Sequence, residues 1–388
     1  MASRGSRNFA LAALALLLVL AAVLGVRPRR AASAPAAAAA TPEPAIAAAA
    51  APALPLAQSM APVPEPVENP ADRLPPPPCW SGLLELDRAG SIDDFRRALE
   101  AGLGSGELAG DYATERLAQL IGADDRRALE VAALAEHAVP PDLGIYFEAL
   151  KASEAVQHAE VRDRLFQLAE SGKVALDNRQ GALVALESQR HLEPASVRRL
   201  EKLALDRSLD SGAWVATRTL GRVMKEDFER GGDYRPYWEG LLQIAQQTGD
   251  TAVRLLALEM PSYSNPLLGK ESIPQLARLM REDGSADVRE MAAFRLGVTS
   301  ESEKALDAFR DAFPAEQSLC VRWAMFRFAV RAAGAAALPL LQRFAALDPR
   351  LAQDAREFEQ LYASGVVDFE RVWLGKKENI QCLGEEPK

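Results

Sequence analysis

Histidine, cysteine and paired carboxylates carry most metal and acid–base chemistry, and this sequence is sparing with the first two. Its 388 residues hold three histidines, His137, His158 and His191, and three cysteines, Cys79, Cys320 and Cys382. A metal centre needs several such groups converging, and no C-x-x-C spacing points to a zinc or thioredoxin-like site. Gly102, Gly104 and Gly106 share a loop, but no Lys-Ser/Thr pair follows as a phosphate loop requires. There is no G-x-S-x-G elbow, and no spacing of the histidines indicates a Ser-His-Asp arrangement. No catalytic residue, metal or cofactor is assigned from the sequence. Cys320 lies in an apolar helical pattern and reads as a small core residue; one disulfide with one free thiol is the alternative in an oxidising compartment.

Carboxylates are abundant, so a pair of them becomes informative only beside a surface that could hold a sugar. One aromatic cluster offers such a surface: Tyr234, Tyr237 and Trp238 in GGDYRPYWEG, with Tyr263 in PSYSNPLLGK. Both segments follow the second helix of a hairpin, so in a stacked array they are expected on one edge, a repeat apart. These four residues are the candidate binding site. The competing reading is that Tyr237 and Trp238 begin the next helix and turn inward.

The elements that would position these residues are helices. From Ser91 onward apolar residues return every three or four positions, as in Phe95-Ala98-Leu99 and Leu165-Leu168-Ala169. Breaks fall at Pro140-Pro141, Gly231-Gly232, Gly284-Ser285 and Asp348-Pro349. Asp124, Ser211, Asp250 and Ser272 stand where helix N-caps are expected. The helices also repeat: RQGALVALES from 179, AWVATRTLGR from 213, RLLALEMPSY from 254, REMAAFRLGV from 289 and RWAMFRFAVR from 322 are spaced by 34, 41, 35 and 33 residues. The first column is Arg in four of the five, and the fourth is Ala182, Ala216, Ala257, Ala292 and Met325. Small residues there permit close helix approach. Helices predicted over 194–206, 235–248, 272–282 and 302–313 precede the last four segments, which makes a stack of helix pairs. Residues 93–151 add two further hairpins by pattern.

One copy carries a family resemblance. DVREMAAFRLG at 287–297, with Val288-Arg289, Ala292-Ala293 and Leu296-Gly297, resembles the second helix of a HEAT repeat of the short bacterial, bilin-lyase-like type. Leu220-Gly221, Val253-Arg254 and Val321-Arg322 match in part, and the resemblance covers roughly 158–363. It implies an all-α fold, an α-α superhelix (solenoid) of HEAT-like helical hairpins, that binds a protein partner. Some HEAT-like enzymes hold an iron pair with His-Glu dyads, but Leu192 follows His191 and Glu136 precedes His137, so no such dyad exists here.

Residues 1–30 and 31–78 differ from this body. Phe9–Val26 is an uncharged run of 18 residues, roughly 27 Å as a helix, close to a hydrocarbon core of about 30 Å. It is read as an uncleaved signal anchor, with cleavage near Ala32-Ser33-Ala34 as the alternative. Residues 31–78 contain 18 Ala and 13 Pro and read as a disordered, extended linker. Of the 45 basic and 54 acidic residues, six and four lie in 1–78, leaving 39 against 50 and a net charge of −11 for residues 79–388. That balance excludes a duplex nucleic-acid binder, which needs a broad basic face. Beyond the array, Phe369, Val372 and Trp373 are expected to cap the last hairpin, with Lys376 and Lys377 at the helix end. The sequence thus predicts a non-enzymatic scaffold or adaptor in the cell envelope, anchored to the inner membrane by its N-terminal helix, its body in the periplasm and bound to a protein partner. The alternative in location is secretion after cleavage; in function, a glycan-binding or glycan-active envelope protein.

Overall fold

The structure, a computed structural model, describes residues 78–102, 107–261 and 269–365. The chain divides into Met1–Asn69 and Pro70–Lys388, and every described residue belongs to the second unit. The expected anchor, the linker but for Pro78, which opens the first helix, Tyr263 and the cap around Trp373 lie outside the described residues.

Among the described residues the structure is helical, an all-α solenoid of antiparallel hairpins in two layers. The A layer comprises α2 (Ile92–Gly102), α4 (Asp125–Ala135), α6 (Ala159–Glu170), α8 (Pro194–Ala204), α10 (Arg235–Gln247), α12 (Ile273–Glu282), α14 (Ser302–Ala312) and α16 (Leu338–Leu347). The B layer opens with α1 (Pro78–Arg88) and continues through α3 (Glu107–Ile121), α5 (Asp142–Ala152), α7 (Leu176–Leu186), α9 (Gly212–Glu229), α11 (Thr251–Glu259), α13 (Ala286–Leu296), α15 (Leu319–Ala333) and α17 (Ala352–Ala363). The four predicted A helices begin and end within about two residues of those observed, the usual uncertainty at frayed termini. Asp124 and Asp250 cap α4 and α11 as expected, accepting from Arg126 and Arg127 N–H and from Ala252 and Val253 N–H. Ser211 and Ser272 precede their helices without a side-chain cap bond.

The layers differ in how they are buried. An A helix such as α12 is amphipathic, burying Ile273, Leu276, Ala277, Leu279 and Met280 on one face. A B helix lies against its A partner and against a B helix on either side, so α13 is buried nearly all round, Glu290 and Arg295 included. Close packing of B on B explains the small columns. Ala182, Ala216, Ala257 and Ala292 have no exposed surface. A Cβ at Gly297 would stand 2.8 Å from Phe328 Cβ, and one at Gly221 would overlap the Met260 side chain.

The arginine column has a consistent geometry. Arg179, Arg254, Arg289 and Arg322 each stand at or near the start of a B helix and reach the acid in the turn of the following hairpin. The pairs are Arg179–Asp206 at 3.3 Å, Arg254–Asp283 at 3.1 Å, Arg289–Glu316 at 2.8 Å and Arg322–Asp348 at 3.1 Å. Three of the guanidiniums also donate to a carbonyl near the end of their own A helix: Ala169, Thr248 and Asp283. Each acid in turn accepts from a nearby backbone N–H: Ser208, Ser285, Ser318 and Arg350. Burial alone would raise the Glu316 carboxyl, but Arg289 and the turn N–H groups hold it below the usual carboxylate range. Asp348 is pulled down to about 2, chiefly by Arg350 and also by Arg322.

Two features depart from the sequence reading. Cys320 is not a free core thiol: it is half-buried and disulfide-bonded. Leu319–Leu347 is long and apolar enough to cross a membrane, yet half of its most apolar stretch is buried in the solenoid. Gly334, in left-handed backbone at φ 56°, breaks it after α15.

Removing one partner of a largely buried ion pair leaves the other uncompensated. R289Q is therefore expected to lower unfolding stability by about 2–4 kcal/mol in urea titrations, while R278Q on the exposed face of α12 changes it by less than about 1 kcal/mol. Glu290, paired with Arg327 at 2.9 Å, has its pKa raised to about 7 by burial against the pull of Arg327. Folding favours its protonated form, so its contribution is complete below about 4.5 and is lost as pH rises through about 7. E290Q should flatten the dependence of melting temperature on pH between about 5 and 8; a slope identical to that of the parent chain would contradict the assignment.

Candidate functional site

The segment GGDYRPYWEG turns the chain from α9 into α10. Gly231 takes φ 88°, and a Cβ at Gly232 would overlap Asp227 Oδ1. Only this glycine pair lets the turn fold back on α9, where Gly232 N–H donates to the Asp227 carbonyl at 2.8 Å. Asp233 then accepts from Arg235 N–H, and Pro236 occupies the first turn of α10.

That geometry carries the aromatic residues inward. Tyr237 is 1% exposed and Trp238 2% exposed, so neither offers a ring face to a ligand. The Tyr237 hydroxyl donates to Asp227 Oδ2 at 2.6 Å and accepts from Leu192 N–H at 2.8 Å. Burial, reinforced by the Asp227 carboxylate, pushes the Tyr237 phenol above its ordinary range. Trp238 Nε1–H donates to the buried Ser272 Oγ at 2.8 Å, which ties α10 to the start of the next hairpin. Tyr234 is half-buried and meets Phe228 edge-on, centroids 6.1 Å apart. The expected stacking platform is therefore not formed by Tyr237 and Trp238. They begin a helix whose inner face fills the core, and Tyr263 lies outside the described residues.

In place of the platform there is a polar junction that the sequence reading missed. Asp227 is buried and accepts from Tyr237, while His191 Nδ1 stands 2.7 Å from the same Oδ2. The imidazole is mostly exposed. A buried carboxylate on Nδ1 fixes the tautomer and orientation of a histidine; here, among the described residues, no hydroxyl or thiol hydrogen-bonds to the ring. His158 pairs separately, through Nδ1, with Asp125 Oδ1. The two histidines 33 residues apart thus serve different junctions. Among the described residues no three His, Cys, Asp or Glu side chains converge as a metal site requires.

Two further features mark the B layer. A groove of about 700 Å³ is lined by Asp111, Glu115, Glu148 and Glu154 from α3, α5 and the turn after α5, with no aromatic ring among its lining residues. Next to it, Glu187 at the end of α7 receives Lys151, Arg218 and Arg222. No local sequence signal links these four residues, which are brought together only by the stacking of α5, α7 and α9.

No family model matches the chain, and no curated protein matches it. A solved structure described as "Computational Design of Self-Assembling Cyclic Protein Homooligomers" aligns at 14% identity over 76% of this chain and 95% of that one. Its TM-score of 0.13 is too low for the likeness to carry an argument.

Y237F removes the hydrogen-bond donor to Asp227 and the acceptor of Leu192 N–H together, leaving buried groups unsatisfied at a cost of about 1–3 kcal/mol. The expected result is a lower urea midpoint with unchanged helical circular dichroism; an unaltered midpoint would show that the junction is not the lock its geometry describes.

Proposed function

We propose that this chain is an exported, membrane-anchored helical-repeat scaffold of HEAT-like type that binds a protein partner through the side of its hairpin stack. The architecture carries the reading. Core and ion pairs join each repeat to its neighbours, so surface residues are free to be set by a partner. Export is supported by the disulfide at Cys320, since such bonds persist in oxidising compartments, and the uncharged run Phe9–Val26 suits a signal anchor. The Ala/Pro stretch of residues 31–78 suits a spacer that holds the array away from the bilayer.

A reporter fused after Lys388 that is active only in an oxidising compartment should be active in cells, and peptide mapping without reductant should recover Cys320 in a disulfide. Crosslinking in intact cells followed by mass spectrometry should return a discrete partner. An inactive reporter overturns the topology, and crosslinks confined to abundant bystanders overturn the scaffold reading. Deleting residues 31–78 should leave the melting temperature unchanged while reducing partner capture.

A further inference from the structure

One repeat breaks the arginine column. Ala213 occupies the position held elsewhere by Arg179, Arg254, Arg289 and Arg322, and α9 carries its two guanidiniums further along, at Arg218 and Arg222. With Trp214 they stand at i, i+4 and i+8, one above another on a single face of the helix. Trp214 is one of the few exposed large apolar side chains among the described residues, and the Arg218 guanidinium carbon lies 4.9 Å from its ring centroid.

Both guanidiniums are held by the same carboxylate. Glu187 accepts from Arg218 Nε at 2.5 Å and from Arg222 Nη1 at 2.9 Å, and Lys151 Nζ stands 3.3 Å from it on the other side. The Glu187 side chain is 1% exposed, out of reach of a partner, whereas Arg222 is 52% exposed. Lys151 has a second carboxylate, Glu148, at 3.8 Å; among the described residues Arg218 and Arg222 have none but Glu187. Each guanidinium carries five N–H donors, and Glu187 takes one from each. Donors therefore remain on two forks that are already fixed in place, beside an exposed indole.

We propose that Trp214, Arg218 and Arg222 form a docking face for an acidic segment of a protein partner, in which a carboxylate bridges the two guanidiniums and an adjacent apolar side chain lies on the Trp214 ring. The proposal deepens the scaffold reading and rests on it. Arginine and tryptophan are the residues that most often concentrate binding energy at interfaces, and the Glu187 anchor reduces the ordering cost of binding. The net charge of the body is −11, but repulsion of an acidic segment is screened beyond about 8 Å at physiological salt. Recognition is thus by contact and not by steering. A phospholipid surface or a nucleic-acid backbone would meet the surrounding acidic surface over a much larger area than one short peptide does.

The test is fluorescence anisotropy of a labelled peptide of Glu-Asp-Phe repeats against the full chain in detergent, with a Lys-Arg-Phe peptide and phosphatidylglycerol vesicles as comparisons. The acidic peptide should bind and the basic peptide should not. W214A and R222Q, both at exposed side chains, should each weaken acidic-peptide binding at least tenfold while the melting temperature stays within a few degrees. E187Q, which releases the forks, should weaken it as well. Absence of acidic-peptide binding, equal binding by the parent chain and both surface variants, or binding to vesicles alone each overturns the proposal. Crosslinking in cells separates this from the scaffold reading: a partner still captured by W214A/R222Q removes the docking face and leaves the scaffold, whereas no partner captured by the parent chain removes both.

Discussion

A guanidinium at the start of a B helix reaching the carboxylate in the next hairpin's turn is the contact on which the stack depends. Hydrophobic burial is non-directional and would let one hairpin slide or rotate on its neighbour. The Arg289–Glu316 pair, made through two nitrogens at 2.8 and 3.0 Å, fixes both offset and angle. Because Glu316 also accepts from Gln317 and Ser318 N–H, the same carboxylate shapes the turn from α14 into α15. One side chain therefore couples the local start of a helix to the register of the array.

Burying such pairs is tolerable because each charge meets an opposite one, although the buried Nε of Arg254 and of Arg322 makes no hydrogen bond. Desolvation penalises an ion that enters the interior, and hydrogen bonds to fixed groups offset it. Arg254 meets this requirement with Asp283 and the Thr248 carbonyl; Arg179 does so with Asp206 and the Ala169 carbonyl. Small residues contribute the complementary condition. Alanines in the fourth column let B helices approach closely enough for the guanidinium to span the gap, so the column of small residues and the column of arginines are two parts of one geometric solution.

Much of this fold was legible in the sequence because it is written in local periodicity. Helix pairs, their bounds and the alanine and arginine columns follow from three- and four-residue spacing and from the repeat length. What escaped is what stacking creates. The acid that answers each arginine lies 26 to 29 residues on, in turns of differing sequence, so no fixed motif marks it. Tyr237 and Trp238 looked available because they sit near a Gly-Gly turn, but the second glycine folds that turn onto Asp227 and aims the first turn of α10 at the core. The disulfide of Cys320 was open in the sequence only as an alternative, since its apolar neighbours read equally as the setting of a reduced core cysteine.

Tyr237 and Trp238 at the start of an A helix face the core although loop residues flank them, whereas exposure along the second column of the B helices changes from repeat to repeat: Glu290 is buried, Gln180 and Leu255 are half-buried and Trp214 is exposed. Trp323 occupies that column in α15 and is only 6% exposed, with Phe326 stacked on it at 5.4 Å. Trp214 occupies it in α9 and remains exposed, beside an arginine. The difference coincides with the loss of the first-column arginine at Ala213, where Asp250 caps α11 without an arginine from the preceding repeat. This repeat gives up the contact to the following hairpin and instead turns two arginines back on the buried Glu187 of the preceding one, which leaves Arg222 half exposed beside Trp214. In a stack whose other features all point to consistency between repeats, such a local departure is where function is expected to reside.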